Sequence, residues 1–183
     1  MTDELLMQAI ARGDQQAFSE LYERYAARMY RYFLRMLWGD RGKAEDMTQE
    51  VFLKIIEKPY LFDTNRVFST WIYTLASNLC KNEYRRKKPI LNADFAPGLL
   101  TESGDALPEH LDELLLHQHL QTAIDGLEVL FRHCIVLRYQ EGFSIAQISE
   151  MLDCPIGTVK SRLHYGVKKL INQMEVWKTE MYE

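Results

Sequence analysis

One short stretch of the chain carries hydrogen-bonding or positive groups at helical spacing: Thr158, Lys160, Ser161, Arg162, His164, Tyr165 and Lys168. They share the outer face of a helix whose other face holds Ile156, Val159, Leu163, Val167 and Leu170, and no acidic residue falls between Pro155 and Leu170. An apolar inner face beneath a basic outer face suits a helix that enters the major groove of DNA, where base edges present a readable donor and acceptor code. An ordinary helical hairpin with a solvated basic face has the same pattern. A second stripe lies upstream. Asn78, Lys81, Asn82 and Arg85 fall at i, i+3, i+4 and i+7 and run into Arg85-Arg86-Lys87-Lys88. Positive charge at a helix C-terminus is favourable through the macrodipole alone, but amides beside cations also offer base-edge and phosphate contacts. A third group, Asp46, Gln49 and Glu50, shares one outer helix face and is either a solvated surface or a contact for a partner.

Catalytic chemistry finds little support. His117 and His119 form an HxH pair, but residues two apart on a helix point to different faces and do not make a metal site. There is no glycine-rich phosphate loop, no HExxH and no convincing triad. No catalytic residue, metal or cofactor is therefore expected. Cys80, Cys134 and Cys154 are scattered and form no CxxC pair, which reads as free thiols in a reducing compartment. No apolar run reaches the ~18 residues of a membrane span, and the N-terminus lacks the pattern of a signal peptide. A cytoplasmic protein with no direct membrane insertion is expected. The net charge of -4 argues against non-specific coating of nucleic acid but not against local basic faces.

The elements that must position these residues are all helical. The 183 residues, 47% of them hydrophobic, can bury a core and suit one large domain or two small ones. Apolar periodicity predicts a short helix over 3–12, with Leu5, Leu6 and Ile10 inward. Gly13 ends it and Asp14 can cap the next, over 15–38, whose broad apolar face includes Phe18, Tyr22, Tyr25, Tyr32 and Phe33. A third helix over 43–58 turns Ala44, Met47, Val51 and Ile55 inward, with Phe52 and Ile56 beside them. Residues 59–66 form an unusually apolar loop, either packed on the core or shaped as a pocket for a flat ring. A fourth helix spans 67–88. Then composition changes. Residues 89–111 carry Pro89, Pro97, Pro108, Gly98 and Gly104, with Asp94, Glu102, Asp105 and Glu109 and no Lys or Arg. This reads as a flexible acidic linker able to reach ~75 Å. Helices over 112–124 and 127–140 follow. Ser144 and Gln147 form a capping box for a helix to Leu152, and Pro155 suits the first turn of the next. Residues 173–183 read as a polar tail, with Met174 and Trp177 packing back. The expected fold is all-α: two small helical domains, over 1–88 and 112–183, joined by the linker.

Four stretches together resemble a known family: RGDQQAF (12–18), AEDMTQEVFLK (44–54), FSTWIYTLASNLCKNEYRRKK (68–88) and EGFSIAQISEMLDCPIGTVKSRL (141–163). The chain resembles the extracytoplasmic-function (ECF) sigma factors, initiation subunits of bacterial RNA polymerase. The resemblance implies that residues 1–88 bind core RNA polymerase and read and melt the promoter's minus-10 element, and that 112–183 read the minus-35 element. It places Asp46, Gln49 and Glu50 on core polymerase. It places Asn78, Lys81, Asn82 and Arg85 at minus-10 DNA, Arg86 and Lys88 on phosphates, and the 62–68 loop, with Phe62 and Asn65, around a flipped base. Lys160, Ser161 and His164 become base contacts at minus-35, and Thr158, Arg162, Tyr165 and Lys168 phosphate or flanking contacts. Partners implied are core polymerase, promoter DNA and, as commonly in the family, an anti-sigma factor, although no residue here points to the last. The chain departs from the family at Glu128, where a proline is usual, so a changed helix start is expected there; the residue at the His164 position varies between groups. The other reading of these residues is a self-sufficient helix-turn-helix transcriptional regulator.

Overall fold

The computed structural model describes residues 1–87 and 111–182. Its order is α1 (Asp3–Ile10), α2 (Gln15–Met36), α3 (Arg41–Glu57), a 3-10 turn at Pro59–Leu61, α4 (Phe68–Lys87), α5 (Leu111–Asp125), α6 (Val129–Ile135), a π-turn at Val136–Gln140, α7 (Ile145–Leu152) and α8 (Ile156–Tyr182). No strand occurs among the described residues, so the all-α expectation holds. The chain forms two compact units, one built on α1–α4 and one on α5, α6 and α8. The expected acidic linker and Lys88 lie outside the described residues, apart from Leu111, which opens α5.

Local signals set the helix starts in the first unit. Asp14 Oδ1 accepts from the N–H groups of Gln16 at 2.9 Å and Ala17 at 3.1 Å, and Asp40 Oδ1 from Lys43 at 3.0 Å. Each such cap satisfies donors that the helix leaves orphaned, and is worth about 1 kcal/mol. The core is strongly aromatic. Tyr32, Phe33, Phe68 and Tyr73 are fully buried, and Tyr32 sits edge-on to Tyr73 with centroids 5.2 Å apart. The Tyr32 hydroxyl is satisfied by Ser77 Oγ at 2.9 Å, and the Tyr84 hydroxyl by the Met36 carbonyl, so the rings are buried without orphaning their polar tips. The aromatic stripe of α2 is core at Tyr25, Tyr32 and Phe33, while Phe18 is half-buried and Tyr22 is exposed. Two other inward expectations are corrected. In α1 the buried face is Leu6, Met7 and Ile10, and Leu5 is exposed. In α3 Ile56 is exposed, because Val51, Phe52 and Ile55 already fill the buried arc.

In the second unit the expected helix over 127–140 is α6 continued by the π-turn. The chain is then turned by Gly142 at φ 81°, and Arg138 Nη1 donates to the Phe143 carbonyl at 3.0 Å. The capping box is present: Ser144 N–H donates to Gln147 Oε1 at 3.0 Å, and Gln147 N–H donates to Ser144 Oγ at 3.2 Å. Pro155 sits one position earlier than expected. Its carbonyl accepts from Thr158 and Val159, so it precedes the first residue of α8. Ile156, expected inward, is exposed, while Val159 and Leu163 are buried. Gly166 lets α8 approach α6 closely, since a Cβ there would lie 3.2 Å from Ile135 Cγ1. The 173–183 stretch is no irregular tail. It continues α8 to Tyr182, and its Trp177 ring lies 4.4 Å from that of His119 on α5.

Candidate nucleic-acid and polymerase interface

Helix α4 presents its stripe as spaced. Asn78, Asn82, Arg85 and Arg86 are exposed and Lys81 is half-buried. Asn82 Oδ1 accepts from Arg85 Nη2, which holds the two side chains together along the outer face. One residue that the sequence did not single out shapes this end of the helix. Glu83 is only 6% exposed, and its carboxylate meets Lys43 Nζ at 3.3 Å and Arg86 Nη1 at 3.8 Å. It ties α4 to α3 and keeps Arg86 beside the stripe. A single acid within a basic run gives no warning of such a role.

The loop before α4 divides its residues. Phe62 is 5% exposed, with its ring 5.5 Å from Phe68 and 5.1 Å from Trp71. The ring forms the floor beneath the loop. Asn65 is exposed, and its N–H and Nδ2 both donate to Asp63 Oδ1 at 3.0 Å, while Arg66 N–H donates to the Asp63 carbonyl at 2.9 Å. These bonds make a compact turn and hold the Asp63 carboxyl below its ordinary value. Tyr60, at 75% exposure, Leu61 and Val67 flank the loop with open apolar surface.

On α3 the side chains of Asp46, Gln49 and Glu50 are all exposed. Glu50 is paired with Lys54 at 2.8 Å, an i,i+4 bridge of the kind worth a few tenths of a kcal/mol. That bridge is weak enough to open for a partner.

In the second unit Lys160, Ser161, His164, Tyr165 and Lys168 are exposed on α8, and Thr158 is half-buried. Ser161 Oγ donates to the Gly157 carbonyl at 2.9 Å, which leaves its lone pairs as acceptors. His164 and Tyr165 set their rings at 73° with centroids 5.3 Å apart. Arg162 departs from the rest. It is half-buried, and its Nη1 lies 3.5 Å from Cys154 Sγ, so the guanidinium is turned back toward the corner before α8. Burial pushes the nearby Cys134 thiol up to about 11, against the opposing pull of Arg162. Glu128, at the departure from the family, takes the position before α6 and pairs with Lys169 on α8 at 2.7 Å.

The residue that matters most for this unit and was not foreseen is Arg132. It is 1% exposed, and its Nη2 donates to the Asp125 carbonyl and to the Leu127 carbonyl at 3.2 Å. It thereby places positive charge on the last carbonyl of α5 and on the corner that follows it. Beside it, burial raises the Asp125 carboxyl above its ordinary 3.8, with Arg132 and Gln121 opposing. A raised carboxyl pKa means that the folded unit favours the protonated form. Its contribution is fully present below the ordinary value and is lost as pH rises through the folded one. Asp125→Asn should therefore raise the unfolding temperature more at pH 7 than at pH 4, read by thermal melts of both proteins. An equal shift at the two pH values would contradict the assignment.

No helix among the described residues is long and apolar enough to cross a membrane. Residues 21–90 match Sigma-70 region 2, and residues 117–170 match Sigma-70, region 4. The chain is 38% identical over 174 residues to the ECF RNA polymerase sigma factor SigW of Bacillus subtilis, covering 90% of this chain and 92% of that protein. It is 31% identical over 184 residues to the ECF RNA polymerase sigma-E factor of Escherichia coli K12, covering 96% and 95%. Among solved structures, the Bartonella quintana sigma factor RpoE, in complex with the anti-sigma factor NepR, superposes with a TM-score of 0.70 at 21% identity over 87% of this chain and 97% of that one. CnrH, in complex with the cytosolic domain of CnrY, gives 0.69 at 19% identity over 95% and 97%. At those identities the two structures speak for the fold. The matched regions and the two relatives speak for the family, and on them this chain belongs to the ECF sigma factors of RNA polymerase.

Proposed function

We propose that residues 1–88 of this sigma factor dock on core RNA polymerase and open the minus-10 element, that 112–183 read the minus-35 element as duplex, and that 89–111 tether the two. The observation that carries the reading is the pair of exposed basic and amide faces, on α4 and α8, within the region 2 and region 4 matches. Asp46, Gln49 and Glu50 on α3 supply an acidic face for core enzyme. Asn78, Lys81, Asn82 and Arg85 read minus-10 DNA, with Arg86 and Lys88 on phosphates. The turn built on Asp63 and Asn65, over the Phe62 floor, takes a base flipped from the stack, a step that costs a few kcal/mol and is offset by a fitted pocket. On α8, Lys160, Ser161 and His164 face base edges, and Thr158, Tyr165 and Lys168 flank them. Arg162 reaches phosphate only by leaving Cys154. The protein acts without chemistry of its own, inside the compartment that holds the polymerase. One of its structural neighbours is a sigma factor seen with an anti-sigma factor, which supports a partner of that kind here.

Linking two weak contacts raises the effective concentration of the second and makes element spacing part of the specificity. The test is a gel shift on promoter DNA with and without core polymerase. Specific binding that requires core enzyme is expected, whereas tight binding to a palindromic site without it would mark an autonomous regulator. Within that assay Lys160→Ala should weaken use of minus-35 variants at one or two positions, by about 1–3 kcal/mol each. An equal loss on every promoter would make Lys160 a phosphate contact.

A further inference from the structure

Helix α4 begins where its own sequence supplies no cap. Trp71 N–H donates to the Val67 carbonyl at 3.3 Å, so Val67 holds the capping position, and valine has no side-chain oxygen to take an N–H of the first turn. The oxygen comes from another helix. Phe68 N–H donates to Glu4 Oε1 at 3.1 Å, across 64 residues of chain. Glu4 lies in the first turn of α1, which is itself held firmly. Leu6, Met7 and Ile10 are buried, and Asp3 accepts from Arg24 Nη1 and from the Tyr25 hydroxyl, each at 2.5 Å. The Tyr25 ring stands edge-on to Phe68 at 5.1 Å. Helix α1 also packs against the Pro59–Leu61 turn. One short helix therefore holds the base-binding loop at both ends: at the turn before it and at the Phe68 N–H after it. Residues 1–20 precede the segment matched to region 2, so that match gives α1 no part in handling DNA.

We propose that Glu4 is a positioning residue for promoter opening: by capping α4 from α1, it fixes the pose of the 62–68 loop that receives the flipped base. This rests on the function proposed above. A carboxylate at a helix N-terminus is favoured by the dipole, and its fixed reach sets the direction in which the chain enters the helix. Without it the first turn of α4 frays. Phe68 and the loop then shift against the Asn78 and Asn82 stripe, while the α3 face is untouched.

The test uses the full chain with core polymerase and three variants: Glu4→Ala, Glu4→Gln and Glu4→Asp. Strand opening is read by permanganate reactivity of unpaired thymines, on a duplex promoter and on one pre-opened by mismatches, alongside core affinity and melting temperature. Glu4→Ala should slow opening of the duplex about fivefold, the order expected for one lost cap. It should keep wild-type core affinity and recover on the pre-opened promoter. Glu4→Gln, which keeps an acceptor oxygen in place, should open at close to the wild-type rate. Glu4→Asp keeps the charge but falls one methylene short, so it should open slowly while staying folded; it carries the test if the alanine variant does not fold. Wild-type opening by Glu4→Ala or Glu4→Asp would overturn the proposal. So would a parallel loss of core affinity and opening, which would make α1 a support of the fold alone. Failure of the wild-type protein to open any promoter with core enzyme would overturn the underlying function, and this proposal with it.

Discussion

Arg132→Ala should remove about 3–5 kcal/mol from the second unit, because two hydrogen bonds from a buried cation to backbone carbonyls are lost at roughly 1.5–3 kcal/mol each. The variant loses the donor to the Asp125 and Leu127 carbonyls and leaves both without it at the corner between α5 and α6. It also strips the partly buried Asp125 carboxylate of the positive charge that opposes its upward shift. Since a small domain is stable by only roughly 5–15 kcal/mol, a loss of this size unfolds a large share of the unit at physiological temperature. Arg132→Met fills the volume and should cost less, and Asp125→Asn should rescue part of the alanine loss because the two groups interact. Denaturant unfolding of the wild type, the three single variants and the Arg132→Ala/Asp125→Asn double variant checks this. A gain from Asp125→Asn that is the same with and without Arg132 would show that the two groups act independently. On the proposed function, minus-35 reading should fail while the first unit still docks on core enzyme.

On the proposed function, Asp46→Lys should lower affinity for core polymerase by about 30-fold or more. Reversing one charge inserts a cation into a face that offers Gln49 and Glu50 beside it, and contact residues of this type reach 2 kcal/mol or more. The side chain is exposed and its neighbours Ala44, Met47 and Val51 supply the buried face, so the fold should be untouched. Unchanged circular dichroism with a lost core complex is the expected result. Normal core affinity would return Asp46, Gln49 and Glu50 to a merely solvated surface.

Much of this architecture was legible in the sequence because it is written locally. Asp14 and the Ser144–Gln147 pair are capping residues whose effect spans three or four positions, and the helices start where those residues stand. The two outer stripes were legible for the same reason, since helical period alone decides which side chains share a face. What escaped depends on contacts that helical period does not carry. Arg132, in a helix that reads as half exposed, is buried because carbonyls of a neighbouring corner can receive it. Glu83 is buried because Lys43 lies across from it. The apolar 59–66 loop could pack on the core or shape a pocket, and only the placement of Phe68 and Trp71 shows Phe62 to be a floor. Residues 173–182 looked like a tail because they are polar. Yet no Gly or Pro interrupts them, they are good helix formers, and Trp177 meets His119 on α5.

The most direct measurement is transcription in vitro with purified core polymerase, with and without this protein, on a pool of fragments from the genome that encodes it. Start sites that appear only with the protein, and that share two upstream elements at a fixed spacing, are the predicted result. No new starts, together with tight binding to a palindromic site in the absence of core enzyme, would contradict the account and leave an autonomous helix-turn-helix regulator.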